Sequence, residues 1–320
     1  MNKNKIKFNH KLKNYSSVIF LLALIIFNMI FTPNFNSLNT VNNVITQILP
    51  VILTSMGMTI VISTGGIDIS VGSVMAISGI VAAMVAPYIG IFLAVVLGII
   101  VAILVGLLNG LLIGKFEIQA MVITLGSMLL IRGIAKVLIE GRDIYLNRLG
   151  QVGEKMSKLG SYKIFGNIPI QIIPIIIAVL IVWILMTKTT LGRKIQLVGD
   201  NSVAGKLTGI NTDLIILIVY SISSAFAGLA GFFEVVRVNV ASGSSLGQGA
   251  ELDAIAAVAI GGTPMSGGKA RVFGTVVGAL IMQLITLTCV MNNVPAQWAM
   301  IVKAIILVIA VYFQSRRKSN

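Results

Sequence analysis

The sequence has few charged residues and few of the residues that build metal sites or disulfides. Charged side chains make up 11% of its 320 residues, against about 25% in a typical soluble domain. So little polar surface excludes a soluble enzyme, a disordered protein and a fibre. Because Cys289 is the single cysteine, no intrachain disulfide is possible, and with His10 as the single histidine no metal site is expected.

Long apolar runs make up most of the sequence. A helix needs about 20 mostly apolar residues to cross a bilayer. The segments that qualify are 15–31, 44–63, 71–88, 91–113, 119–138, 168–186, 214–233, 272–290 and 297–313. A further apolar stretch, 253–262, is only about 15 Å long as a helix. Because the runs lack the alternation of a membrane barrel, they predict an all-α polytopic membrane protein with about ten transmembrane helices, one of them short or half-length.

The net charge of +14 is concentrated at the two ends of the chain and in three loops. Basic residues crowd a tail at 1–14 and a second tail at 314–320, which flank a transmembrane domain at 15–313. The positive-inside rule favours ten crossings with both tails in the cytoplasm. The loops that hold Lys115, Lys269 and the basic residues of 187–213 would then also face the cytoplasm. This distribution reads as an orientation signal, so no nucleic-acid partner is expected.

Candidate site carboxylates occur at two of the places where apolar segments begin or end. Asp68 and Ser70 lie in a glycine-rich turn between two spans, where Ser70 is placed to cap the next helix. The alternative is a polar turn beside a substrate path or a cytoplasmic partner. Glu251 and Asp253 begin the short helix, where they favour the helix dipole. Half-length helices in transporters also line cavities, so a substrate-facing role is again the alternative.

Other polar side chains lie within the spans. Arg132 lies deep and needs a partner or water, whereas Lys303 has no acidic residue near it in the sequence and is expected to snorkel. Uncharged polar groups bind a hydroxylated ligand or bridge neighbouring helices. The predicted substrate-pathway set is Asp68, Ser70, Asn109, Gln119, Thr124, Arg132, Glu251 and Asp253.

The spans lack two kinds of chemistry. No histidine accompanies Ser70 or Ser266, so neither serine has a base for nucleophilic catalysis and an intramembrane enzyme is not expected. Intramembrane carboxylates are scarce, which argues against a carrier driven by an ion gradient. The energy for transport would then enter from elsewhere.

The segment 187–213 is the longest loop predicted on the cytoplasmic side. Asp200 or Ser202 is placed to cap a helix of two turns that stops at Gly209. Val203 and Leu207 would share one face of it. Because so short a helix is not stable alone in water, it should dock on the protein's own helix ends or in a groove of a partner.

Three sequence segments, in this order, carry a family resemblance. Residues 65–73 read GGIDISVGS, residues 190–193 read TLGR, and residues 251–258 read ELDAIAAV and run into GGT and SGG. Over about 44–313 the chain resembles the permease subunits of bacterial ABC importers for simple sugars, the ribose, xylose and galactofuranose group.

The resemblance implies a fold, a set of partners and a mechanism. Two permeases would form the channel, separate ATPase chains would bind the cytoplasmic face, and an extracellular solute-binding protein would deliver a monosaccharide. The permease itself would hold no cofactor and catalyse no reaction. It would import the sugar across the cytoplasmic membrane by alternating access, with an ion-coupled secondary transporter as the alternative.

The resemblance also assigns 187–213 to contact with the ATPase. The implied coupling residues are Arg193, Lys194, Asp200, Asn201, Val203, Ala204, Lys206 and Leu207. The family usually has Gly-Asn where this chain has Gly199-Asp200, and the added negative charge would alter the contact with the ATPase.

Overall fold

The computed structural model describes residues 16–164 and 166–315, and the helices in this part of the chain follow the apolar runs closely. In the first half they are α1 (Ser16–Phe31), α2 (Leu38–Ser63), α3 (Val71–Ile89), α4 (Ile91–Gly114), α5 (Ala120–Leu138) and α6 (Gly150–Ser161). In the second half they are α7 (Ile172–Lys188), α8 (Thr190–Asp200), α9 (Ser202–Leu207), α10 (Thr212–Val238), α11 (Ala250–Gly261), α12 (Val272–Met291) and α13 (Ala296–Ser315). The predicted tail 1–14 and residues 316–320 lie outside the described residues.

The described helices are those of a polytopic membrane protein. Six of them are long and apolar enough to cross a bilayer, namely α2, α3, α4, α5, α10 and α12. A seventh candidate is the pair α7 and α8, which is bent by 72° between its two helices. Helices α1 and α13 are apolar but shorter over their described residues. Each predicted segment is helical, whereas the predicted number of about ten crossings is not confirmed.

Helix α2 forms the centre of the bundle and α5 lies at its edge. In the apolar window of α2, 78% of the residues are buried, against 17% in α5. Leu49, Leu53 and Met56 of α2 are fully buried, whereas Leu129 and Leu130 of α5 are each more than 60% exposed. An apolar face this open must meet lipid or another protein chain.

Glycines bring α4 and α10 into close contact. A Cβ atom on Gly106 would lie 2.6 Å from the carbonyl oxygen of Tyr220, and one on Gly110 would lie 2.6 Å from Cα of Leu217. One turn further on, Gly114 faces Asp213 in the same way. Lipid provides no hydrophobic drive between helices, so such backbone contact is a main source of their attraction. Gly106, Gly110 and Gly114 therefore allow α4 and α10 to pack backbone against backbone.

Small elements cover one end of the bundle, which we call the strand end. Strand β1 (Ile144–Tyr145) pairs antiparallel with β4 (Val240–Ala241), and β2 (Lys163–Ile164) pairs with β3 (Ile168–Pro169). Helix α6 lies beside them and buries Met156. None of the predicted apolar segments covers α6, because this helix is too polar to form an apolar run.

The short helix α11 does not by itself extend from one end of the bundle to the other. Its 12 residues give a length of about 18 Å. The loop 242–249 completes the distance between β4 at the strand end and α11. The segment 64–70 between α2 and α3 is likewise non-helical. Two breaks in helical structure therefore lie within the bundle.

Candidate functional site

The two non-helical breaks meet inside the bundle. Gly72, which follows the first break, lies against Gly247 of the second so closely that neither has room for a Cβ atom. Gly247 also has φ +67°, which favours glycine. Non-helical backbone at membrane depth is tolerated only where protein or a water-filled cavity surrounds it. In transporters such breaks mark the substrate path, so the groups that satisfy these backbones define the candidate site.

A buried hydrogen-bond network holds the first break. The carboxylate of Asp68 accepts hydrogen bonds from the Ser70 hydroxyl at 2.6 Å and the Ser70 amide at 3.0 Å. Asn109 of α4 donates to the Ser70 hydroxyl oxygen at 3.1 Å, and Ser223 of α10 reaches the carboxylate at 3.5 Å. These four side chains are all at most 2% exposed. The Ser70 side chain therefore bonds to Asp68 and Asn109 and does not cap α3 as predicted.

The carbonyl oxygen of Ile67 is the second anchor of this break. It accepts hydrogen bonds from the hydroxyl of Tyr220 on α10 and the hydroxyl of Thr124 on α5, each at 3.4 Å. Tyr220 and Ser223 were missed by the sequence analysis. Their spacing on α10 matches one helical face, but no charged residue nearby drew attention to them.

Arg132 holds the second break. Its guanidinium donates to the carbonyl oxygen of Leu246 at 2.6 Å, which supplies the partner that the sequence analysis required. The carboxylate of Glu251 lies close enough for its charge to act on Arg132, and it also lies over Gly72. Arg132 and Glu251 thus stabilise the meeting point of the two breaks.

Asp253 is paired with Lys303, contrary to expectation. The Lys303 ammonium donates to Asp253 Oδ2 at 2.8 Å, and both side chains are less than a quarter exposed. The expectation that Lys303 snorkels without an acidic partner is therefore wrong. Residues 50 positions apart in the chain meet because α13 packs on α11, and no sequence pattern indicates that contact.

The predicted pathway residues thus fall into separate groups. Asp68, Ser70, Asn109 and Thr124 belong to the buried network, whereas Arg132 and Glu251 lie at the second break. Asp253 pairs with Lys303 between α11 and α13. Gln119 is exposed at the start of α5. Within the described residues no cluster of three or more His, Cys, Asp or Glu side chains forms a metal site. Whether these residues contact substrate remains a prediction.

The opposite end of the bundle, which we call the α9 end, presents the predicted coupling residues. All eight are exposed. Asn201 is the residue that caps α9, through a hydrogen bond from the Ala204 amide at 3.0 Å, so the predicted caps Asp200 and Ser202 are wrong. Val203 and Leu207 are 67% and 85% exposed. The helix therefore offers two apolar side chains to the solvent at the tip of the molecule.

Helix α8 joins this exposed helix to the bundle. Gly199, near its end, packs against the carbonyl of Ser63 at the end of α2 and against Gly267 and Gly268. The Gly268 amide in turn donates to the Ser63 carbonyl oxygen at 3.0 Å. The α8 terminus is thus in direct contact with the ends of two bundle segments.

An exposed ion pair ties α9 to the turn between α4 and α5. Lys206 Nζ donates to Glu117 Oε1. This hydrogen bond, together with the charge of Lys206, lowers the pKa of Glu117. The same hydrogen bond raises the pKa of Lys206. Both groups are charged near neutral pH, and because they are exposed the pair contributes little to stability.

Comparison with known proteins identifies the class of protein that this fold and these sites define. The chain belongs to the family described as branched-chain amino acid transport system / permease component, whose model matches residues 40–311. The structure is therefore that of a transport permease, and the resemblance drawn from the GGIDISVGS, TLGR and ELDAIAAV segments is confirmed.

Individual relatives match over most of their length. The chain is 36% identical to the ribose import permease protein of Escherichia coli strain K12, over 96% of this chain and 95% of the relative. It is 34% identical to the ribose import permease protein of Bacillus subtilis strain 168, over 98% of this chain and 96% of the relative. Identity to the galactofuranose transporter permease protein of Escherichia coli strain K12 is also 34%, over 86% of this chain and 79% of the relative. No solved structure matches the chain.

Proposed function

We propose that the chain is the transmembrane permease subunit of an ATP-driven importer that carries a monosaccharide across the bacterial cytoplasmic membrane. Near full-length similarity to ribose import permeases is the observation that carries the proposal. Other relatives are named for galactofuranose, fructose and D-allose. These substrates share one chemical class, the monosaccharides.

A separate ATPase would dock at the α9 end. Support comes from Val203 and Leu207, whose side chains are apolar yet exposed. A helix of six residues has little stability of its own, and a groove on a partner would both bury these side chains and hold the helix. Arg193 and Lys194 of α8, also exposed, supply positive charge beside it.

The coupling would run from α9 through α8 into the bundle. ATP binds better to one arrangement of the paired ATPase chains, and this differential affinity shifts the permease between its inward- and outward-facing states. Gly199 would transmit the movement, since it packs against both Ser63 and Gly268. Those contacts lead to α2, which ends at the first break, and to α12, which packs on α11 after the second break.

The proposal also implies how the chain is oriented in the membrane and which proteins contact each of its surfaces. The α9 end would lie in the cytoplasm with both chain termini, and the strand end would face the extracellular solute-binding protein. A second permease copy or a relative would pack on the open apolar face of α5. That face includes Gly126 and Gly133, which have nothing within 4 Å of a built Cβ atom and so leave room for close approach.

Reconstitution tests this function directly. Proteoliposomes would contain the permease with or without its proposed ATPase chains and solute-binding protein, and uptake of labelled D-ribose, D-fructose and D-allose would be measured. We expect uptake against a gradient with the full set and ATP, and none from the permease alone. Uphill uptake by the permease alone under an ion gradient would establish the ion-coupled alternative and overturn the proposal.

A further inference from the structure

We infer that each permease subunit carries its own binding station for an uncharged, polyhydroxylated solute, in a cavity at the strand end. The inference rests on the proposed function, since it names the place and the chemistry of a substrate contact. The cavity has a volume of about 190 Å³ and lies between α2, α10, α11, α12 and α13. That volume is several times the share of one water molecule in the liquid, about 30 Å³.

Three side-chain amides line the cavity. Gln283 of α12 donates through Nε2 to Oε1 of Gln47 on α2 at 2.8 Å, and Gln248 of the second break adds a third amide to the lining. A carboxamide carries both two N–H donors and a carbonyl acceptor. Paired amides therefore match vicinal hydroxyl groups, each of which donates and accepts one hydrogen bond.

The charges of the four ionisable side chains that line the cavity sum to zero. Asp253 pairs with Lys303 at 2.8 Å, and Glu234 pairs with Arg237 through two hydrogen bonds. Two carboxylates and two cations leave the cavity without net charge. An anionic solute would need a cation that is not already paired, so the cavity favours a neutral ligand over a sugar phosphate or a sugar acid.

The cavity reaches well into the bundle from the strand end. Gln47 lies about 14 Å along α2 from Leu38, and Gln283 lies about 12 Å from the strand-end terminus of α12. Arg237 lies one residue from the end of α10, at the mouth. Charged and amide groups at this depth face water or protein and not lipid. A solute entering from the strand end therefore meets these groups before it reaches the buried Asp68 network.

Cysteine protection in the assembled transporter tests the inference. In a Cys289→Ser background, Gln47→Cys and Thr286→Cys place reporters in the cavity, so that one remains if the other fails to fold. The complex would be treated from the strand side with a small, hydrophilic, membrane-impermeant thiol reagent. We expect both cysteines to react, and the transported monosaccharide to slow both reactions severalfold while ribose 5-phosphate does not.

Two matched positions serve as controls. Leu104→Cys in the middle of α4, where the native side chain is 54% exposed, should stay unmodified by a hydrophilic reagent because lipid covers it. Glu154→Cys on α6 should react at a rate that the sugar does not change. These variants separate a specific cavity from general access of the reagent.

The outcomes distinguish this inference from the proposed function. Uptake of a sugar without protection of either cavity cysteine by that sugar would overturn the binding station and leave the importer intact. Protection by a sugar that the complex does not transport would support the station and count against the importer function. Absence of both sugar uptake and cysteine protection would overturn the binding station. Protection by ribose 5-phosphate equal to that by the sugar would also overturn it.

Discussion

Lys303 Nζ lies 2.8 Å from Asp253 Oδ2 and thereby joins the last helix, α13, to the half-length helix α11. The rest of α13 is exposed and apolar over much of its length. Lys303 and Asp253 are only 17% and 22% exposed. The pair therefore fixes the position of α13 on the bundle more specifically than apolar contacts do.

Breaking this ion pair should destabilise the subunit. Lys303→Met leaves the Asp253 carboxylate poorly solvated and without its partner, with an expected loss of about 1.5–3 kcal/mol. Thermal unfolding of the detergent-purified protein would measure it. The double variant Asp253→Lys with Lys303→Asp should recover much of the loss, and the exposed Lys136→Met serves as the control. Equal stability of Lys303→Met and Lys136→Met would show that the pair contributes nothing.

Removal of the Asp68 carboxylate should destabilise the first break. In Asp68→Ala the amide and hydroxyl of Ser70 both lose their acceptor while buried, at about 1–3 kcal/mol for each unsatisfied group. Asp68→Asn keeps one acceptor oxygen and should be milder. Chemical denaturation would rank the variants against Glu154→Ala at an exposed position. An Asp68→Ala protein as stable as the control would mean that the network is dispensable.

The apolar runs predicted the helices closely but not the contacts between them. Each predicted segment became a helix, because the requirement for internal backbone hydrogen bonds in lipid leaves few alternatives. The candidate site was predictable only in part, since Asp68 and Arg132 stand out as charges within apolar sequence. Their partners Ser223 and Leu246 lie more than 110 residues away in the chain. Such pairings depend on how the helices pack, which periodicity does not encode.

Glycine at position 110 should be required for the contact between α4 and α10. In Gly110→Ala the new methyl group would meet Cα of Leu217 at 2.6 Å, so the helices must separate, with an expected cost of about 1–3 kcal/mol. In Gly133→Ala nothing within the subunit lies within 4 Å of the new methyl group. Because the proposed second permease would pack on this face, both variants are compared as the monomeric subunit in detergent. That control should be neutral, or stabilised by up to about 1 kcal/mol through helix propensity. The midpoint of thermal unfolding distinguishes them, and the opposite order would refute close packing at Gly110.

The ion pair between Lys206 and Glu117 should hold α9 over a wide range of pH. Because the pKa of Glu117 is lowered, its contribution is complete above its ordinary value near 4.5 and disappears as the pH falls through the lowered pKa. Because the pKa of Lys206 is raised, its contribution is complete below its ordinary value near 10.5 and disappears as the pH rises through the raised pKa.

Amide hydrogen exchange in α9 would measure this effect. The ratio of exchange rates between Glu117→Gln and the native chain cancels the intrinsic dependence of exchange on pH. We expect faster exchange in the variant, by a constant ratio between the two ordinary values, and convergence in acid. Added salt should reduce the ratio because both groups are exposed. A ratio that changes around neutral pH would contradict the assignment.

Loss of the apolar tip of α9 should uncouple the permease from its ATPase. If the partner's groove buries Leu207 as proposed, Leu207→Asp removes about 1.5–3 kcal/mol of binding free energy, which weakens the affinity roughly 10- to 150-fold. Proline at Val203, with charge reversal at Arg193 and Lys194, should also abolish sugar-stimulated ATP hydrolysis. Leu159→Asp on α6 introduces the same charge at the strand end and should leave ATPase binding unchanged. Titration of the purified ATPase onto reconstituted permease gives the affinities, and native affinity in Leu207→Asp would exclude α9 as the docking element.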